Sequence, residues 1–110
     1  MKLKSLPEDF EVEELSDFPL ERGQFAVYLL TKRSLGTPEA ITAISERWNI
    51  PRRVIGYGGL KDKHAVTRQW VTIRNGPRRD FHQESLSLTY QGQAKRDFGP
   101  ADISANRFRI

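Results

Sequence analysis

Val54-Ile-Gly-Tyr-Gly-Gly-Leu-Lys-Asp-Lys-His-Ala-Val-Thr-Arg-Gln-Trp-Val-Thr-Ile73 is the stretch whose reading decides how this chain is built. Val54-Ile-Gly-Tyr57 reads as a short strand running into a glycine bend, and Gln69-Trp-Val-Thr-Ile73 resumes strand character beyond a charged loop. That loop sets one carboxylate, Asp62, between Lys61 and Lys63. A carboxylate flanked by cations is favoured in its ionised form, and the same lysines draw a polyanion towards it. Loops held on rigid strands are where chemistry concentrates. The pattern Gly56-x-Gly58-Gly59-x-Lys61 lacks the spacing of a nucleoside-triphosphate loop, and Asp62 stands where a magnesium-binding hydroxyl would be needed. The glycines instead suit a tight bend and a close backbone approach. Taken alone, Lys-Asp-Lys also fits a turn cap or a solvated charge run. His64 reads as a surface or hydrogen-bonding residue sooner than as a general base.

Upstream, Phe10-Glu-Val-Glu-Glu-Leu15 alternates apolar and acidic residues, the pattern of a half-buried strand. After a loop containing Pro19 and Gly23, Gln24-Phe-Ala-Val-Tyr-Leu-Leu-Thr31 is apolar on both faces and reads as a central strand, paired with the first as a hairpin. Thr37 then offers an N-cap, Pro38 fits the first helical position and Glu39 suits the positive end of the helix dipole. Ile41, Ile44 and Trp48 make one apolar stripe through Ala40 and Ala43, stopped by Asn49 and Pro51. Trp48 reads as packing. Downstream, Asn75-Gly76-Pro77 is a turn, 78–84 suggests one helical turn, and 91–105 is polar and irregular. Ser85-Leu-Ser-Leu-Thr-Tyr90 alternates, placing Leu86, Leu88 and Tyr90 on one face. Asn106-Arg-Phe-Arg-Ile110 looks like the opening of a strand. The expected class is α+β: a mainly antiparallel sheet with one long helix packed on it. Because the pattern ends inside a strand, one edge and one face of the sheet are expected to need cover from elsewhere, as in a fragment of a longer protein.

At 110 residues the chain is one domain at most, or part of one. It has no cysteine, which excludes disulfides, thiolate metal sites and cysteine nucleophiles. Its two histidines have no zinc-site spacing. No stretch has the length and apolarity of a signal peptide or a membrane span, so a soluble, cytoplasmic protein with no membrane partner is expected. The formal net charge of +4 is unevenly spread. Residues 1–46 carry five Lys or Arg against nine Asp or Glu, while 47–80 carry nine Lys or Arg against two Asp. A basic middle around the charged loop is an electrostatic footprint for phosphate, although a solvated basic face fits the charge count equally well. Phe10, Phe25 and Phe108 are core candidates at strand positions, and any of them could instead be a platform for an unpaired base.

Four segments together carry a resemblance: Phe10-x-Val12-x-Glu14 after Pro7-Glu8-Asp9; Gly23-Gln-Phe25-Ala-Val27-Tyr28; Gly59-Leu-Lys-Asp-Lys-His-Ala-Val-Thr-Arg-Gln69; and Asn106-Arg-Phe108. In order and approximate spacing over essentially the whole chain they resemble the TruD family, pseudouridine synthases that modify tRNA at position 13. The resemblance implies that Asp62 is the catalytic aspartate and Phe108 the aromatic that stacks on the target base. Asn106 would orient the active-site loop or contact the nucleotide, and Lys4 would be the active-site lysine. Phe10 and Glu14 match positions that support the site; Lys61, Lys63, Thr67 and Gln69 would shape the loop and contact RNA. It implies tRNA as partner and neither a metal nor an organic cofactor. Family members are much longer, with a catalytic domain assembled from N- and C-terminal segments around an inserted domain. Residues 1–110 would then be the N-terminal segment of that catalytic domain, with the inserted domain and the C-terminal part absent. One departure is Ala105, where the family usually has glycine before Asn-x-Phe, a change that matters if the position needs a positive φ. The alternative is a non-catalytic basic α+β RNA-binding module; a third reading is a structural domain with a basic face. The aromatic signature of the RRM is absent.

Overall fold

The computed structural model describes residues 11–59 and 66–109. Its strands are β1 (Glu11–Leu15), β2 (Phe25–Arg33), β3 (Ile55–Tyr57), β4 (Val66–Arg74), β5 (Phe81–His82), β6 (Leu86–Ala94) and β7 (Ala105–Arg109), with one α-helix, α1 (Thr37–Trp48). All seven strands belong to one sheet in the order β5-β6-β2-β4-β1-β7, with β3 also paired to β4. Strand β4 is the axis. Along one side it pairs antiparallel with β2 from Arg74 opposite Phe25 to Val66 opposite Arg33. Its other side is shared: β1 runs parallel to residues 66–68, and β3 runs antiparallel to residues 71–73. The remaining pairings are antiparallel, which agrees with the expected fold class.

The hairpin expected between the first two strands does not form, because β4 lies between them. Alternation in β1 marks a half-buried strand but carries no information about its neighbour. The apolar positions of β4 make it the better partner for β2, and β1 is left to the outer side. The connection between β1 and β2 instead drops Phe18 onto the face away from the helix. There its ring meets Phe98 edge-on at 5.3 Å, in a small cluster with Val27 and Ala94.

Helix α1 covers the other face. Ala40, Ile41 and Ile44 are buried against Tyr28, Leu30, Val71, Ile73, Leu86 and Leu88, and each of the two isoleucines contributes about 1.5–3 kcal/mol by burial. Trp48 packs between Tyr28 and Phe81, at ring separations of 5.6 and 5.5 Å, as its place on the stripe suggests. The N-cap is Gly36, not Thr37; Thr37 is the first helical residue, and its hydroxyl is engaged elsewhere. Asn49 closes the helix with a left-handed φ of 53° before Pro51. Two further expectations are corrected. Residues 81–82 form the short strand β5 rather than a helical turn, because Phe81 pairs with Leu88 and buries its ring. Strand β6 runs on through polar residues to Ala94, across a bulge opposite Val27 and Tyr28, since its backbone is held by β2 whatever its side chains. Leu86, Leu88 and Tyr90 do share the helix-side cluster. No helix among the described residues is long and apolar enough to cross a membrane.

Candidate functional site

Six polar or charged side chains are buried among the described residues: Glu14, Lys32, Thr37, Thr67, Gln69 and Thr72. Each such group must be compensated, because burying a polar group without a partner costs roughly 1–3 kcal/mol. Their placement is not scattered. Lys32 and Thr67 are cross-strand partners, Thr67 is also opposite Val12, and Gln69 and Glu14 lie two residues further along the same face. Thr37 reaches this face from the first turn of α1. Thus five of the six form a polar belt at one end of the helix-bearing face, in a sheet whose interior is otherwise apolar. Thr72 faces the other way, where its hydroxyl accepts the Phe98 N–H at 3.0 Å.

Gln69 is the centre of the belt. Its Oε1 accepts from the Thr37 hydroxyl at 3.2 Å, and its Nε2 donates to the Gly59 carbonyl at 3.1 Å. One side chain therefore ties the start of α1 to the residue that leads into 60–65. The other flank of that segment, Val66, is fixed between Glu11 of β1 and Arg33 of β2. Glu14 turns its Oε1 to the backbone N–H of Trp70 at 3.0 Å, beyond the last β1–β4 residue pair. Lys32 donates from Nζ to the Leu35 carbonyl at 2.7 Å. The Thr67 hydroxyl has no hydrogen-bond partner among the described residues.

Strand β7 borders the belt. Phe108 is opposite Val12 and Asn106 is opposite Glu14, so both share the belt's face. Phe108 is 63 % exposed, which overturns the core reading for this ring; Phe25 is half-buried against the small second cluster. Ala105 pairs with Leu15 within the strand and is not among the residues of positive φ, so the departure from glycine there causes no strain. The glycine bend is explained by close approach. A Cβ on Gly56 would stand 2.7 Å from the Thr72 hydroxyl and 2.9 Å from the Phe98 carbonyl, and one on Gly58 would collide with Ile103.

Of the side chains singled out in the sequence, Gln69, Asn106, Phe108, Glu14 and Thr67 therefore meet on one face. Lys4, Phe10, Lys61, Asp62, Lys63 and His64 lie outside the described residues. Lys32 and Thr37 belong to the belt and were not anticipated as site residues. The signal for Lys32 was its place in the Tyr28, Leu30, Lys32 alternation, which points inward. Thr37 was disguised as a helix cap. The basic stretch is also divided: Arg68 lies on the opposite face, paired at 3.2 Å with Glu11, beside a second pair of Arg107 with Glu13.

A profile of the family described as tRNA pseudouridine synthase D (TruD) matches residues 1–110. The chain is 33% identical to the tRNA pseudouridine synthase D of Aquifex aeolicus, covering all of this chain and 30% of that protein. It is 38% identical to a probable tRNA pseudouridine synthase D of Methanocaldococcus jannaschii, covering all of this chain and 26% of the relative. Among solved structures it is similar to the putative tRNA pseudouridine synthase D of Methanosarcina mazei, with a TM-score of 0.89 and 28% identity over 96% of this chain and 25% of that one. The chain thus spans roughly a quarter to a third of the length of the proteins it matches.

Proposed function

The chain belongs to the TruD family, and from that premise we propose that it supplies the N-terminal segment of the catalytic domain of a tRNA pseudouridine synthase, acting on uridine at position 13 of cytoplasmic tRNA. The observation that carries this reading is the polar belt, bordered by the exposed ring of Phe108 and joined through Gln69 to the entry of the segment that holds Asp62. Isomerisation breaks the C1′–N1 glycosidic bond and rejoins C1′ to C5 of the same base, with the C5 proton released to water and N1 taking up a proton. The base has to leave the stack first, which costs a few kcal/mol and calls for an aromatic surface to receive it. Phe108 is that surface, and Asn106 on the same strand contacts the nucleotide. Asp62 is the carboxylate that acts at the sugar, by attack at C1′ or by removal of a sugar proton. Either route begins from the charged form, which Lys61 and Lys63 favour. Gln69 acts as a positioning residue, Lys4 as the active-site lysine and Phe10 as a residue that supports the site. Segments corresponding to the rest of the longer relatives complete the far side. Neither a metal nor an organic cofactor is called for by this chemistry.

In an enzyme complete in those segments, Asp62→Asn is expected to abolish isomerisation while tRNA remains bound, as read by pseudouridine content and by binding on the same preparation. Turnover by the variant at the parental rate removes Asp62 from the role. Salt-sensitive RNA binding without isomerisation in either form favours the non-catalytic module instead.

A further inference from the structure

Six arginines of the basic stretch, Arg47, Arg52, Arg53, Arg74, Arg78 and Arg79, are exposed; Arg47 ends α1, and the other five lie about the end of β4 away from the polar belt. Arg74 ends β4, Arg52 and Arg53 form the 3-10 turn that leads into β3 beside the end of β4, and Arg78 and Arg79 follow the turn after β4. Arg53 and Arg74 line one hollow with Phe25, Val54 and Asp97. That rim is eight residues of extended strand from Val66, about 26 Å at about 3.3 Å per residue. Ion pairs among the described residues engage Arg68, Lys95, Arg96 and Arg107 and none of these six. Two are held by rings instead: the Arg79 guanidinium lies 5.5 Å from the Trp48 ring centre and Arg47 lies 5.7 Å from that of Phe81. A ring beneath a guanidinium restrains its plane and leaves its N–H donors directed outward. The acidic neighbours are few. Asp97 shares the hollow, Glu46 adjoins Arg47, and Asp80 accepts the Tyr90 N–H at 2.9 Å.

We infer that this rim is a second anchorage for the RNA, binding phosphates of its backbone about 26 Å from the entry of the catalytic segment. The inference rests on the proposed reading for the identity of the RNA, but its geometry does not depend on Asp62. A protein partner fits the rim less well. The core of a protein interface needs apolar anchors, and the large exposed apolar side chains among the described residues are Leu20 and Phe108, neither of which is on the rim. Guanidinium groups without ion-pair partners, with no large exposed apolar side chain among them, match a ligand of repeated charge. Held at two distant places, a structured RNA is oriented as well as bound, whereas a flexible strand gains nothing from the separation.

The test uses the triple variant Arg52→Gln, Arg53→Gln, Arg78→Gln, which leaves the ring-stacked arginines in place. Binding of a labelled tRNA transcript is followed by fluorescence anisotropy between about 50 and about 200 mM salt, with heparin and an acidic polypeptide as comparison ligands. The slope of log affinity against log salt is expected to flatten by about two to three, and tRNA binding at low salt to weaken about tenfold or more. An unchanged slope and affinity in a variant with the parental thermal melt overturns the inference. So does a loss confined to the acidic polypeptide, or a parent that holds heparin as well as tRNA. Isomerisation is scored separately. A protein that isomerises uridine with the triple variant binding normally loses the rim alone, and one that never isomerises yet shows the flattened slope loses the catalytic reading alone.

Discussion

Gln69 joins two parts of the molecule with a single amide, accepting from Thr37 and donating to Gly59 while wholly buried. Gln69→Leu keeps the volume and strands both partners, so urea unfolding should show a loss of roughly 2–4 kcal/mol; a change below about 0.5 kcal/mol contradicts the role. Phe108 is the opposite case. Its ring is mostly exposed, so Phe108→Ala should alter stability by no more than about 0.5 kcal/mol. If the ring receives the base, the same variant weakens binding of a tRNA with an unpaired target uridine by roughly 1–3 kcal/mol. Equal binding by variant and parent, with stability unchanged, removes the ring from that role. At this scale the sequence was legible where a motif was long. The Lys-Asp-Lys-His-Ala-Val-Thr-Arg-Gln69 run pointed to Gln69, and Asn106-Arg-Phe108 pointed to the two β7 residues. It was not legible for Lys32, because the apolar run ends at Thr31 while the strand continues through Lys32 to Arg33.

Elements were readable one by one and their neighbours were not. Alternation located β1, the apolar run located β2, and the stripe and stop signals bounded α1 to within a residue. Pairing depends on which strands compete for the same edge, and β4 displaced β1 from β2 without leaving any mark on either strand. The polar span 91–105 misled for a related reason. Backbone pairing sustains β6, and Phe98, with Ile103 packed against the same cluster, fastens the segment beneath the sheet. The 3-10 turn Pro100–Asp102 that follows is clamped by Asp102, which accepts from two nitrogens of Arg96 at 2.8 and 3.0 Å and from the Gly99 N–H at 2.9 Å. The Arg96 hydrogen bond, with help from Gly99, holds the Asp102 carboxyl below the usual carboxylate range. A carboxyl with a lowered folded-state value stabilises the fold above the ordinary value of about 3.9, and that contribution fades as the pH falls through the folded value. Thermal melts on acidification should therefore separate the parent from Asp102→Asn: the parent loses more Tm below about pH 4 than the variant does. Parallel curves contradict the clamp.

Across the whole molecule, the uneven charge was plain in the sequence, but its distribution in space was not. Of the described arginines in the contiguous basic stretch, one is ion-paired on the far face, Arg47 ends α1 and five lie about the end of β4. Concentration of buried polar side chains at the other end was equally hidden, since Glu14, Lys32, Thr37, Thr67 and Gln69 come from four separate elements. On the proposed reading, that separation gives the molecule two ends, one with the belt and Phe108 for chemistry on a base, the other with arginines for the backbone of the same RNA. The measurement that bears most directly on this account is tritium release from C5-tritiated uridine in tRNA, run with an enzyme complete in the segments that close the site and with its Asp62→Asn variant at matched tRNA occupancy. The account predicts release by the parent and none above a boiled control by the variant. Release by both forms at the same rate, or none from a folded parent that binds the tRNA, contradicts it.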